Sequence, residues 1–210
     1  MLKLAPALLT GLVAMGGWAV VSVKDLPEYF VAGQQYTIEF QVRQHGRTLL
    51  SGLRPELVVT SGGARGVVIP AAARSAPGTY AVTFTAPASG PATLTIRSGF
   101  GNNQLTLYPL AVVAGGGSKP ALSVADRGQM LFVAKGCNTC HVNSDLSNAP
   151  DNMALTVGPA LGARHLAREY VIQKLKNPNS QVMPDLGLTD AEAAAIAAFL
   201  STGAAASGGR

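Results

Sequence analysis

Both cysteines of this 210-residue chain fall inside one five-residue stretch, Cys137-Asn138-Thr139-Cys140-His141. C-x-x-C-H is the pattern by which c-type haem is attached. Each thiol adds across a vinyl group of the porphyrin and leaves a thioether, and the imidazole that follows falls under the iron as proximal ligand. This commits the surrounding chain to an apolar slot for a flat macrocycle, with a second axial ligand brought from elsewhere. Two other uses of the pattern fit less well. A thioredoxin-like C-x-x-C belongs at a strand-to-helix turn inside a βαβ unit, and no such unit surrounds this one. A structural zinc site needs four nitrogen or sulfur ligands, whereas only Cys137, Cys140 and His141 cluster and the remaining histidines, His45 and His165, stand apart. With both thiols spent on haem, no disulfide is available.

The candidates for the other axial position are Met153, His165 and Met183. Met183 lies in Gln181-Val182-Met183-Pro184, after Asn177-Pro178-Asn179-Ser180. Prolines on both sides forbid helix and favour extended backbone, which suits a loop that presents a thioether from the face opposite His141. A methionine is ordinarily a core filler, and His165 would make a rival His/His pair. Met183 is preferred, because His/Met is the usual electron-transfer pairing.

From about Ala121 to Ser201 the chain resembles a class I cytochrome c domain. The matching pieces, in the family's order, are Cys137-Asn-Thr-Cys-His141, Gly158-Pro159-Ala160-Leu161, Asn177-Pro178, Val182-Met183-Pro184 and a closing amphipathic helix. The resemblance implies an all-α fold with a single covalent haem c whose iron shuttles electrons. It implies that Pro159 offers its backbone carbonyl to the proximal imidazole, and that Gly128 and Phe132 cross the last helix near Phe199. It also implies that Tyr170, Arg164 or Arg168 approaches a haem propionate. Local signals agree with it. Ser123-Val-Ala-Asp126 opens a helix that runs to about Lys135, with Gly136 as its stop. A second helix spans Leu166–Lys176, with Tyr170, Val171 and Leu175 facing the haem. Thr189-Asp-Ala-Glu192 is a capping box for a helix that carries Ile196, Phe199 and Leu200 on one face. The polar stretch from Val142 to Val157 reads as an irregular loop whose acid spacing fits no calcium site.

The resemblance covers less than half of the chain. Ahead of it, residues 20–113 read as an all-β immunoglobulin-like sandwich. Expected strands are Trp18–Val23, Tyr36–Arg43, Glu56–Thr60, Gly66–Pro70, Gly78–Thr85, Pro91–Ser98 and Gln104–Val112. Tyr36–Val42 and Thr79–Phe84 alternate with period two, as in a sheet with one wet face, and Gly, Asn and Pro turns punctuate the runs. About seven strands at this spacing suit such a sandwich. The Cys pair and central Trp of antibody domains are absent, and Trp18 is read as part of the leader or a cap on the first strand. No nucleophile with a base and no paired carboxylates appear here, so docking or spacing is the expected role. The turn Gln44-His45-Gly46-Arg47 is read as solvated, with a metal or partner contact as the alternative, and Arg43, Arg47, Arg54, Arg65, Arg74 and Arg97 as scattered surface arginines.

Residues 1–19 carry Lys3 and then an uncharged run, which fits either a cleaved signal peptide or a retained membrane anchor. Both place the remainder outside the cytoplasm, in a bacterial periplasm or on the outer face of the inner membrane. Residues 114–120, with three glycines and a proline, read as a linker that lets the haem unit (121–202) swing relative to the sandwich. Residues 203–210 read as a disordered tail. The net charge of +5 is dispersed, with no basic run interleaved with aromatics, so nucleic acid is not an expected partner. The expectation is an exported, His141/Met183-ligated c-type cytochrome, an electron carrier or accessory subunit acting with redox partner proteins rather than an enzyme. The alternative is a haem-bearing subunit of a periplasmic oxidoreductase whose β-domain binds substrate or partner.

Overall fold

The structure is a computed structural model that describes residues 17–179 and 181–202. The proposed leader and tail fall on residues outside that range, apart from Gly17 to Ala19. Ala19 already belongs to the first strand, and the Trp18 carbonyl accepts a hydrogen bond from His45 N at 2.9 Å. Among the described residues no helix is long and apolar enough to cross a membrane.

The first half is a sandwich of two antiparallel sheets. One sheet takes β1 (Ala19–Val23), β3 (Gln35–Gln44), β8 (Thr79–Thr85) and β7 (Ala72–Ala73) in that spatial order, with β4 (Thr48–Leu49) also paired to β3. The other is ordered β10 (Gln104–Thr106), β9 (Ala92–Arg97), β5 (Glu56–Ser61) and β6 (Val67–Pro70). A short parallel pair joins β2 (Tyr29–Val31) to β11 (Ala111–Val113). Both sheets of the sandwich are antiparallel and share one buried core, an all-β sandwich as expected for this half. The strands sit where alternation put them, because period two sends Ile38, Phe40 and Val42 into the core while their neighbours face outward. Phe40 lies opposite Tyr80 in the register and stacks on it at 5.9 Å. Three short strands, β2, β4 and β7, carry too few residues to show a period. The expected Gln104–Val112 strand is split, with residues 107–110 outside any strand.

The second half holds four helical segments. α1 (Val124–Ala134) starts at Ser123, whose hydroxyl accepts from Asp126 N at 3.1 Å. α2 (Cys137–Cys140) is a single turn following Gly136, which stands at φ +75°. α3 (Arg168–Lys176) starts two residues later than expected. α4 (Asp190–Thr202) opens with both arms of the capping box closed, Glu192 N to Thr189 Oγ1 at 3.2 Å and Thr189 N to Glu192 Oε2 at 3.0 Å. α1 crosses α4 at Gly128, where a Cβ would overlap the Ala195 carbonyl oxygen and come within 2.9 Å of Phe199 Cβ. One turn on, Phe132 meets Phe199 edge to face at 5.7 Å, as the resemblance implies; such pairs add about 1 kcal/mol beyond area burial.

The expected freedom between the two halves is not what the structure has. β1 is buried on both faces, one toward the sandwich core and the other toward the helices. Lys135, 2% exposed, pairs with Glu192 at 2.6 Å and also donates to the Lys24 backbone carbonyl, while Ser22 Oγ donates to the Lys135 carbonyl at 3.0 Å. Arg127 donates to the carbonyls of Leu26 and Pro27. The side-chain amide of Asn152 pairs with both backbone groups of Thr106, at 2.7 and 2.8 Å, covering the edge of the second sheet. The Tyr108 hydroxyl donates to the Ser147 carbonyl at 2.9 Å. A glycine-rich tether permits motion but does not require it; buried polar pairs at its ends oppose that motion.

The crossing of α1 and α4 leaves no room for a side chain at Gly128. Gly128→Ala is expected to lower stability in chemical denaturation by about 2–3 kcal/mol. Gly115→Ala, which meets nothing within 4 Å, is expected to change it by less than about 0.5 kcal/mol.

Candidate functional site

A cavity of about 490 Å³ opens between the helices, with β1 of the sandwich closing one wall. That volume falls in the range that encloses a drug- or cofactor-sized molecule. One wall is the α2 turn, which presents Cys137, Cys140 and His141 together. The turn exists because Gly136 adopts a left-handed conformation at the end of α1 and redirects the chain. Space demands glycine there as well: a Cβ on Gly136 would lie 2.5 Å from Val20 Cγ1 and 2.6 Å from the Val21 carbonyl oxygen.

The imidazole of His141 is held from behind. Its Nδ1 lies 2.9 Å from the Pro159 carbonyl oxygen, which can only accept, so Nδ1 carries a proton and, in the neutral imidazole, the lone pair falls to Nε2. Gly158 brings this carbonyl close, because a Cβ at Gly158 would stand 2.7 Å from His141 Nδ1. Gly158 N in turn donates to the Cys140 carbonyl at 2.9 Å, and Leu161 N to the Val142 carbonyl at 2.9 Å. The Gly158–Leu161 segment is thereby fixed against the Cys-Cys-His turn.

Met183 lines the cavity from a different segment, between Val182 and Pro184. The Asn179 carbonyl accepts from Val182 N at 2.8 Å and from Met183 N at 2.7 Å, a tight turn that extended flanks do not make. Much of the remaining lining is apolar, including Phe132, Val171, Leu175, Ile196 and Leu200, all buried, with Lys135, Lys174, Asn177 and Asn179 as its polar members. Tyr170 stands at the edge of the cavity, 50% exposed, with Lys174 Nζ 5.6 Å above its ring. Met153 and His165 are not among the lining residues. Arg164 donates to the Ala160 carbonyl at 3.4 Å, and neither it nor Arg168 lines the cavity.

The two thiols are free and stand one helical turn apart. Burial pushes the Cys137 thiol up to about 12, with neighbouring Cys140 acting in the same direction and Lys135 opposing it. Cys140 is raised as well, again by burial. Neither thiol is set up as a thiolate nucleophile, since such sites lower the pKa. The donor set of two thiols, an imidazole with its Nε2 free and a thioether, around an apolar slot, fits c-type haem. Such an arrangement offers two covalent anchors and a nitrogen and a sulfur for the iron.

Sequence reasoning missed the sandwich's share of this site. Val20 lines the cavity. Gly46, in the turn read as solvated, is buried, and a Cβ there would lie 3.9 Å from Cys140 Sγ. Arg43, read as a surface arginine, is 7% exposed, because the outer face of β1 and β3 is covered by the segment around Met183. The available signal was the run Ala19-Val20-Val21-Ser22-Val23, which does not alternate as a one-sided strand would and proves buried throughout.

Residues 123–200 match the family model described as cytochrome c oxidase, cbb3-type, subunit III. Among solved structures the chain is similar to superoxide reductase (neelaredoxin) from Ignicoccus hospitalis at 15% identity, covering 45% of this chain and 80% of that one with a TM-score of 0.31. A variant of the same archaeal protein gives 16% identity, 48% and 86% coverage and a TM-score of 0.34. Neither likeness is strong enough to bear on fold or function. No curated protein matches the chain. The family match and the Cys-x-x-Cys-His turn on the cavity wall agree on the same segment: this chain carries a C-terminal cytochrome c domain, a haem-based electron-transfer module, behind an N-terminal β-sandwich.

Proposed function

We propose that the chain is an exported c-type cytochrome that passes single electrons through one covalent haem c, as a membrane-associated or periplasmic carrier or as an accessory subunit of a redox complex. In this reading Cys137 and Cys140 form the thioethers, and His141 and Met183 are the axial ligands. Pro159 and Tyr170 belong to the pocket. The observation that carries it is the pairing of His141, its Nδ1 committed to the Pro159 carbonyl, with Met183 on a separate segment of the same cavity. When bound, haem c supplies a one-electron ferric/ferrous couple.

The protein's part is then to hold, orient and exclude. The Pro159 carbonyl fixes the ring of His141 and raises the basicity of its other nitrogen. Met183 brings a thioether, which favours the ferrous state more than a second nitrogen would. Phe132, Val171, Leu175, Ile196 and Leu200 keep water out, and a poorly solvated pocket disfavours the more positively charged ferric state. If His141 and Met183 both held the iron, no position on it would be left for dioxygen, peroxide or an organic substrate, and the chemistry it would supply there is outer-sphere electron transfer. Redox partner proteins are the expected interactors. Export fits the chemistry of haem attachment, which the family carries out outside the cytoplasm.

One observation favours a second reading. The matching family model is named for a subunit of an oxidase, and on this reading the chain is the haem-bearing subunit of a periplasmic oxidoreductase whose β-domain binds substrate or partner. Purification from native membranes separates the two: a stable complex whose turnover is lost without this chain supports the subunit, and recovery as a free protein supports the carrier.

Ligation is tested on the matured protein. The ferrous form is expected to take up no carbon monoxide at neutral pH, and uptake by the wild type counts against closed axial positions. Met183→Ala is expected to abolish the long-wavelength methionine-to-ferric-iron band, lower the reduction potential and admit carbon monoxide; retention of the band moves the ligand away from Met183. Cys137→Ser with Cys140→Ser is expected to remove the mass gain of the covalent tetrapyrrole, read by denaturing mass spectrometry.

A further inference from the structure

The turn that ends β3 is unusually placed for the tip of a hairpin. His45 and Gly46 stand at φ +50° and +71°, and Arg47 N closes onto the Gln44 carbonyl at 3.0 Å, so the tip is a tight turn with little freedom. Arg43, just before it, is held between β1 on one side and β4 on the other, opposite Val20 and Leu49. From this rigid base two guanidinium groups reach across to the other half of the molecule. Arg47 Nη1 donates to the Gln181 carbonyl at 3.0 Å, and Arg43 Nη2 donates to the Asp185 carbonyl at 3.5 Å.

Gln181 and Asp185 lie two residues before and two residues after Met183. The other hydrogen bonds of residues 181–187, among those described, are local: to Asn179 at one end, and within Asp185–Gly187 at the other. Among the described residues, no hydrogen bond ties this segment to α1, α3 or α4. Its only hydrogen bonds to a distant part of the chain come from the sandwich. Arg43 is further held by Gln41 Oε1 at 2.6 Å and by the charge of Asp185. Among the described residues its buried Nη1 has no hydrogen-bond partner, so the hydrogen bonds of its two terminal nitrogens run through Nη2.

We propose that the β3–β4 hairpin is a latch on the Met183 segment, and that Arg43 and Arg47 are positioning residues for the axial methionine. This rests on the reading of Met183 as a ligand. The β-sandwich is then part of the haem site: it sets how readily the sulfur leaves the iron, and so how easily the iron takes an outside ligand. A loop held only by its own turns would let the thioether swing away more often, and an exogenous base would compete for the vacated position.

The test is imidazole titration of the ferric holoprotein, followed in the methionine-to-iron band. Arg47→Ala, at an exposed position, is expected to raise imidazole affinity about three- to tenfold, the scale of one charge-assisted hydrogen bond lost at a partly solvated site. Adding Arg43→Gln is expected to raise it about tenfold further. Arg47→Lys, which keeps a donor, is expected to recover part of the effect. Arg65→Ala, an exposed arginine on a distant turn, is expected to stay within about twofold of wild type. Should Arg43→Gln prevent folding, Arg47→Ala alone decides. Affinities of Arg47→Ala and any folded double variant within about twofold of wild type, with the band lost in Met183→Ala, overturn the latch and leave the ligation standing. Retention of the band in Met183→Ala overturns the ligation and the latch with it.

Discussion

The ammonium group of Lys135 sits where three parts of the molecule meet. It pairs with Glu192 in the first turn of α4 and donates to a backbone carbonyl just after β1, while the backbone N–H of the same residue caps the end of α1. A lysine that is 2% exposed survives only because each of these partners is in place; removing one member of a buried pair costs about 3–5 kcal/mol. Glu192 is tied down in turn by the capping box, so its carboxylate serves the helix start with one oxygen and the ion pair with the other. The consequence is geometric. Lys135 immediately precedes Gly136 and the Cys137–His141 turn, so the anchor of the whole interface also fixes where the cysteines and the imidazole emerge.

Around that anchor the backbone comes close wherever the site needs it to. Gly128 lets α1 lie against the carbonyls of α4, Gly136 lets the haem turn pass under β1, and Gly158 brings a carbonyl to the back of His141. Of the three, only Gly136 needs a left-handed conformation; the others are required by space alone. These contacts act together. The first sets the angle of the two helices whose buried faces line the cavity, the second presents the ligand turn, and the third orients its imidazole.

The haem unit was largely legible because its instructions are local. Covalent attachment needs two thiols and an imidazole at fixed spacing, and a capping box needs partners three residues apart, so a single pass along the chain finds both. The sandwich strands were legible for a similar reason: period two in Tyr36–Val42 already states which side chains are buried. What connects the halves was not legible. Ser22, Arg127 and Asn152 are isolated polar residues whose partners lie about 45 to 115 positions away; nothing in their neighbourhood distinguishes them from solvated surface. Arg43 failed for the same reason, since an arginine on the outer face of a strand reads as wet until something is known to cover it. The linker misled because composition describes the tether and not the surfaces at its ends.

A haem-based electron-transfer module works best when its metal site changes little between oxidation states, and that requirement bears on the sandwich. In many small domains a ligand loop is steadied by its own core. Here the core reaches Met183 and Leu188 only as partly buried neighbours, and the long-range polar support comes from the hairpin. The same hairpin puts Gly46 beside Cys140, on the other segment of the cavity wall. A module that touches both the covalent anchor and the methionine segment, and that is itself fastened through Lys135, does more than space the haem from a membrane or a partner. Its hydrogen bonds act on the Met183 segment, the part of the site that helix packing leaves least constrained. That is a physical reason for a β-domain to be fused to a cytochrome domain and packed against it through these contacts.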